Sequence, residues 1–332
     1  MKRKLLILAV AAASCISARA ADSIDLGAYQ VTGIYALDIL NGTSGGISGL
    51  EASAVTYARD RGTLFFVGDE GTGVVEISRT GKTLGSMTFN WAGTASTNHD
   101  TEGLTYLGGG RLVVAEERLY DAYRFNYAAG GSVTLADSFV SISNANVGNN
   151  GLEGISYDPR NGGSFVTIKQ QSPEDILAGT LTFAGGAGGT STMANLFDPA
   201  LMNLATLSDV QTLSPVDALA GTAAADNLLV LSLGSRRLIE VNRLGQTKSS
   251  FDLSGVLPHN AIEGVTVDEK GTIYLVAEQV QDGSNLPLDP NPKSQLIVLS
   301  APVPEPETYA VMLAGLAVLG VVARRKRRFR IA

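Results

Sequence analysis

Glu102-Gly103-Leu104-Thr105-Tyr106, followed after a glycine turn by Arg111-Leu112-Val113-Val114-Ala115, decides the fold because it does not occur once. The phrase, an acid, a small residue and then alternating apolar positions, returns as Glu51-Ala52-Ser53-Ala54-Val55, Glu153-Gly154-Ile155-Ser156-Tyr157, Asp217-Ala218-Leu219-Ala220 and Glu263-Gly264-Val265-Thr266-Val267. Each copy precedes a turn rich in Gly, Asp or Asn and a β-branched or aromatic run, such as Thr63-Leu64-Phe65-Phe66-Val67 or Thr272-Ile273-Tyr274-Leu275-Val276. Several copies add a third strand, as in Leu238-Ile239-Glu240-Val241. Antiparallel strands in units of about 50 residues are the mark of propeller blades. Five phrases predict an all-β, five-bladed β-propeller. A six-bladed alternative stays open, because the interval between Glu153 and Asp217 is longer than the others and holds the Gly/Ala/Thr-rich excursion 179–207. The stretch 29–37 reads as a strand without a phrase of its own, placed to complete the last blade and close the ring.

The two ends of the chain read differently. Residues 1–20 carry Lys2, Arg3 and Lys4, an apolar run over 5–13 and the small-residue site Ala18-Arg19-Ala20, the pattern of a secretory signal peptide. The apolar run is far short of the roughly 20 residues a spanning helix needs. Cys15 is the sole cysteine and falls in this leader, so residues 21–303 hold neither a disulfide nor a thiolate metal site. At the other end, 304–332 contains Pro304-Glu305-Pro306, an uncharged apolar stretch over 309–323 and Arg324-Arg325-Lys326-Arg327-Arg328. Apolar run followed by basic cluster predicts one transmembrane helix with the cluster on the cytoplasmic side and the propeller on the far side.

Removing the four basic residues of the leader and six of the tail from the chain's 25 leaves 15 Lys and Arg in the middle segment. They face 30 Asp and Glu, a net charge near −15. Such a domain repels phosphate backbones, which excludes nucleic acid as a natural partner and favours cations.

In a propeller the innermost strand of each blade lines the central channel. The repeated acids Glu51, Glu102, Glu153, Asp217 and Glu263 are therefore expected to converge on one axis and to have raised pKa values unless a cation lies among them. Calcium suits such a set, since it takes six to eight oxygen ligands in irregular geometry, whereas zinc finds no cysteine and only two histidines. Acids at strand starts that bond neighbouring amides are the purely structural alternative. A second tier of candidate ligand-contacting residues lies at the ends of the next strands: Glu117, Lys169 and Glu278, with Asp69, Glu70 and Glu116 beside them. His99 and His259 stand three and four residues before channel acids, near the same mouth. Trp91 precedes the second phrase and reads as either a ligand contact or a packing residue. No Gly-x-Ser-x-Gly elbow, His-Glu-x-x-His or P-loop occurs.

Asp100-Thr101-Glu102-Gly103-Leu104 with Val113-Val114-Ala115-Glu116-Glu117-Arg118, and His259-Asn260-Ala261-Ile262-Glu263-Gly264 with Ala277-Glu278, resemble the SdiA-regulated propellers over about residues 45–280. That resemblance implies an envelope-associated propeller with an associated calcium ion and no settled activity. The tail resembles the PEP-CTERM sorting signal of exopolysaccharide-producing Gram-negative bacteria, which implies recognition by an exosortase and a temporary membrane anchor. Two functions follow as expectations. One is a calcium-stabilised, non-enzymatic envelope module that binds polysaccharide or another envelope protein. The other is a metal-dependent hydrolase of a phosphoester or lactone, in which the metal activates water.

Overall fold

The computed structural model describes residues 22–37, 51–143, 148–171, 173–279 and 293–301. The signal peptide and the transmembrane tail expected from the sequence lie outside the described residues. Those described form five blades. Blade I is Ala52–Ala58, Thr63–Gly68, Gly73–Ile77 and Thr83–Asn90, from the axis outward, and Ser132–Thr134 adds a fifth, parallel strand at its edge. Blade II is Thr101–Gly108, Arg111–Glu116, Asp121–Asn126 and Phe139–Ser141. Blade III is Leu152–Asp158, Ser164–Lys169, Asp175–Gly179 and Ala194–Asn195. Blade IV is Asp209–Thr212, Leu228–Ser232, Arg237–Val241 and Thr247–Asp252. Blade V is Ile262–Val267, Ile273–Ala277, Gln295–Ser300 and, outermost, Gln30–Ala36.

The ring closes as the sequence leads one to expect: the N-terminal strand supplies the last strand of the last blade, with Gln30 opposite Ser300 and Ala36 opposite Gln295. Just before it, Ser23 Oγ and the Ile24 amide donate to the buried carboxylate of Glu240 in blade IV, and Tyr29 donates its hydroxyl to the carbonyl of Gly271 in blade V. One short segment thus ties two blades together. The sixth-blade alternative is not realised. Beyond the strands of blades III and IV, the described residues of the long interval add a 3-10 turn, Pro199–Met202, and a two-stranded ribbon, Leu181–Thr182 with Thr190–Ser191, laid against Phe139 at the edge of blade II.

Five apolar clusters, each spanning one seam between neighbouring blades, make up the core. The inner strands also bond directly around the axis. Thr56 Oγ1 accepts from the Tyr106 amide at 3.1 Å, Thr105 Oγ1 from Tyr157 at 2.9 Å, and Ser156 Oγ from Thr212 at 2.9 Å. Thr266 Oγ1 accepts from Tyr57 at 3.1 Å and donates to Gln211 Oε1 at 3.0 Å, which completes the circle. At four of the five seams a backbone donor is satisfied by a hydroxyl of the neighbouring inner strand, and at the fifth the Thr266 hydroxyl meets the Gln211 amide oxygen.

The Glu-Gly pair of the repeated phrase has a backbone explanation. In blades II, III and V the register skips one residue between Thr101 and Gly103, Leu152 and Gly154, and Ile262 and Gly264. Glu102, Glu153 and Glu263 are therefore the extra residue of a β-bulge, a device that re-aims a side chain away from the sheet face. The glycine that follows lies against the next inner strand: a Cβ on Gly154 would fall 2.9 Å from the Val210 amide nitrogen, and one on Gly264 2.8 Å from the Ser53 carbonyl oxygen. Gly264→Ala should therefore lower stability by about 1–3 kcal/mol, as overpacking against unyielding backbone does. Gly255→Ala, where nothing lies within 4 Å, should stay within about 0.5 kcal/mol of the parent. Denaturant midpoints of the two variants check this, and equal effects would contradict the close-approach reading.

Candidate functional site

The bulges carry Glu102, Glu153 and Glu263 to one mouth of the channel. Strand register shows what occupies the same place in the other two blades. In blade I the skipped residue, between Ala52 and Ala54, is Ser53. In blade IV, Asp209 pairs with Leu231 as Gly103 pairs with Ala115, so the bulge position falls to Ser208. Three glutamates and two serines, rather than five acids, stand at the repeated position.

Two of the expected ring members change accordingly. Glu51 lies two residues before the bulge position, yet its carboxylate still reaches the mouth, where its oxygens, those of Asp69 and those of Glu70 come within 4.8 Å of one another. Asp217 is a correction. It sits in a short 3-10 turn, Asp217–Leu219, at the opposite end of the propeller, with its side chain 61% exposed and paired to Arg59 at 2.9 Å. Its phrase mimics the repeat, but the inner strand of blade IV is Asp209–Thr212, eight residues earlier. The carboxylate that does belong to that strand is Asp209. It stands where blades II, III and V have glycine, and accepts from the amides of Val210 and Val265 at 2.7 Å each, bridging blades IV and V.

Each second-tier residue has a definite place. Glu117 is buried and accepts from the Gly151 amide at 3.2 Å, beside Glu153. Glu278 is buried next to Glu263, its own amide held by the Ala261 carbonyl. Glu116, also buried, is occupied by Ser96 Oγ and the Leu119 amide. Lys169 does not neutralise the acids; its Nζ donates to the Pro173 carbonyl at 3.0 Å. His99 has a left-handed backbone, φ 63°, and stacks on Trp91 with ring centroids 4.9 Å apart. Trp91 is nearly buried and donates its indole N–H to the Gly71 carbonyl, so it packs and positions His99. His259 is half-buried in a loop pinned by Arg236, whose guanidinium donates to the carbonyls of Val256, Leu257 and Asn260.

The arrangement centres on Asp69. Its carboxylate belongs to two oxygen clusters, one with Glu51 and Glu70 and one with Asp100 and Glu102, each with ligand atoms mutually within 4.8 Å. Asp69 Oδ1 is buried without a hydrogen-bond partner. Arg118 is paired with Asp100 at 2.7 Å and does not serve the rest. Oxygens that share a cation at roughly 2.4 Å lie at most about 4.8 Å apart, so an all-oxygen shell for a hard cation fits the residues present. Asp69 and Asp100 were harder to find from sequence than the glutamates, since neither lies at the repeated position of the phrase.

Like charges and burial strain the electrostatics at this mouth. Burial, and then the carboxylates of Glu153 and Glu263, hold Glu102 well above the usual range. Burial and Glu117 do the same for Glu153, and burial and Glu278 for Glu263. Burial and Glu51 push Asp69 up to about 8, and burial raises Glu117 to about 7. These groups bind protons more tightly folded than unfolded, so stability is highest below the unfolded values and is lost as pH rises through the folded ones. Glu76 and Asp158, held low by Arg61 and Arg160 against the upward push of burial, titrate beneath that window. In EDTA, the melting temperature should therefore fall steadily from pH 5 to pH 8. A rise over that range would show that the mouth acids are not the dominant titrating groups.

A cavity of about 620 Å³ opens at the opposite end of the channel, lined by Tyr57, Tyr106, Tyr157, Pro159 and Pro215. No helix among the described residues is long and apolar enough to cross a membrane.

Among solved structures, a luciferin-regenerating enzyme is similar at 11% identity and a TM-score of 0.46, over 81% of this chain and 95% of that one. Glutaminyl cyclase of Myxococcus xanthus is similar at 11% identity and a TM-score of 0.47, over 83% and 97%. The PEP-CTERM protein-sorting motif matches residues 302–328, which marks the chain for export and envelope sorting and implies processing by exosortase-type machinery. The SdiA-regulated family model matches residues 31–280, from the closing strand through the acids of blade V, and the chain belongs to the SdiA-regulated family.

Proposed function

We propose that this chain is an envelope propeller that binds calcium at its acidic mouth and serves as a non-enzymatic module for a polysaccharide or protein partner. The observation that carries the reading is the oxygen cluster of Asp69, Asp100 and Glu102, with Asp69 Oδ1 buried and without a partner. Asp69, Asp100 and Glu102 would hold the ion, and Glu51 and Glu70 would complete the shell. Bound there, calcium supplies positive charge that lets the mouth acids ionise together, and so orders the loops that carry them. Glu153, Glu263 and Glu278 keep the surrounding field negative. His99, stacked on Trp91, is committed to packing, which favours binding over acid-base chemistry as the task of this face.

A ligand that binds only the folded state at about 100 times its Kd stabilises by about 2.7 kcal/mol. For a domain of this size that corresponds to a rise of roughly 5–10 °C in melting temperature. Titration of the purified protein should show that rise with calcium, little with magnesium, and none with calcium in Glu102→Gln. A flat calcium response would remove the ion from the account. Turnover of a phosphoester or lactone panel, lost in the same variant, would replace the binding reading with hydrolysis.

A further inference from the structure

We propose that the propeller rests on the membrane surface with the face opposite the acidic mouth, so that the mouth opens away from the bilayer. The inference depends on reading the apolar run 309–323 as a membrane segment. It starts from strand direction. Inner strands run from the mouth to the opposite face, as Ile262–Val267 does after Glu263 is set at the mouth. The second strand of blade V returns to the mouth, and the third, Gln295–Ser300, descends again, with Leu299 opposite Ile273 and Ser300 opposite Gln30. Ala301, the last described residue, therefore leaves on the face opposite the acids, and the closing strand enters there at Gln30.

Only eight steps of chain separate Ala301 from Tyr309, about 26–29 Å even when fully extended. To seat the mouth on a bilayer instead, the connection would first have to climb the height of a blade, six residues at about 3.3 Å each plus the mouth loops, which uses up nearly all of that reach. The opposite face needs none of it.

The surface chemistry agrees with the tether. Of the large apolar residues exposed among those described, Leu244 at 70% lies in the turn after Val241 on this face, and Leu201 at 59% abuts Gly245 of the same turn. Leu84 at 51% and Val31 at 37% are second residues of outer strands that begin on this face. Lys82, Arg111, Lys248 and Lys270 stand exposed in the turns and strand starts around them. Acids exposed on this face include Asp60, Asp217 and Asp226, the last two paired with Arg59 and Arg160, and the apolar tips beside the basic side chains suit an interface with anionic headgroups. The mouth is the reverse: acids concentrate there, and Arg118, Lys169 and Arg236 each bind a local oxygen.

The test uses the full chain with Cys15→Ser, reconstituted into phosphatidylcholine vesicles containing a minority of phosphatidylglycerol and brominated lipid. Single cysteines at Leu244→Cys, Lys270→Cys and, on the mouth side, Asn98→Cys carry a fluorophore. Several-fold stronger quenching at 244 and 270 than at 98 is the expected result. A chain that floats with the vesicles but shows equal or reversed quenching overturns the orientation alone. A chain that does not float overturns the reading of the tail, and the orientation with it.

Discussion

Five inner strands meet around one axis, and in blades II, III and V the residue after the bulge lies so close to its neighbours that a side chain fits poorly. That crowding governs the rest of the molecule. Glycine at 103, 154 and 264 admits the next strand, the bulge before it turns a glutamate toward the mouth, and a hydroxyl or amide two residues later catches an amide of the adjacent strand or the neighbouring polar side chain. Packing at the axis and placement of the acids are therefore one event.

The consequence is a deliberate electrostatic conflict. Carboxylates that would be well solvated on a loop are instead held by backbone geometry among like charges, and burial raises their proton affinity further. The propeller tolerates this because its core lies elsewhere, in five apolar seams that do not depend on the protonation state of the mouth. Asp209 shows the other resolution of the same problem. It occupies a glycine position, but two backbone amides satisfy it and it joins blades instead of facing the channel.

The two faces of the disc are thereby given different tasks. One gathers acids through bulges and strand ends. The other receives both ends of the described domain, carries ion pairs such as Arg59 with Asp217 and Arg160 with Asp158, and exposes leucines. The family model matches residues 31–280 and the sorting motif 302–328, and Ala301, the last described residue before that motif, leaves on the second face.

The repeat by itself determined the all-β propeller and singled out Glu102, Glu153 and Glu263 among its five acids, because alternation and Glu-Gly spacing are local and survive in one dimension; the choice of five blades over six and the bulges that place these glutamates came from the tertiary structure. The repeat misled at Asp217, where an acid before small and apolar residues copies the phrase without occupying an inner strand, and it gave no sign that Ser53 and Ser208 fill the equivalent places. Asp69 and Asp100 gain their meaning only when neighbouring blades bring them against Glu102. Register between strands and contact between blades are long-range properties, set by hydrogen-bond pairing and by how near two backbones can come, and only the tertiary structure decides them.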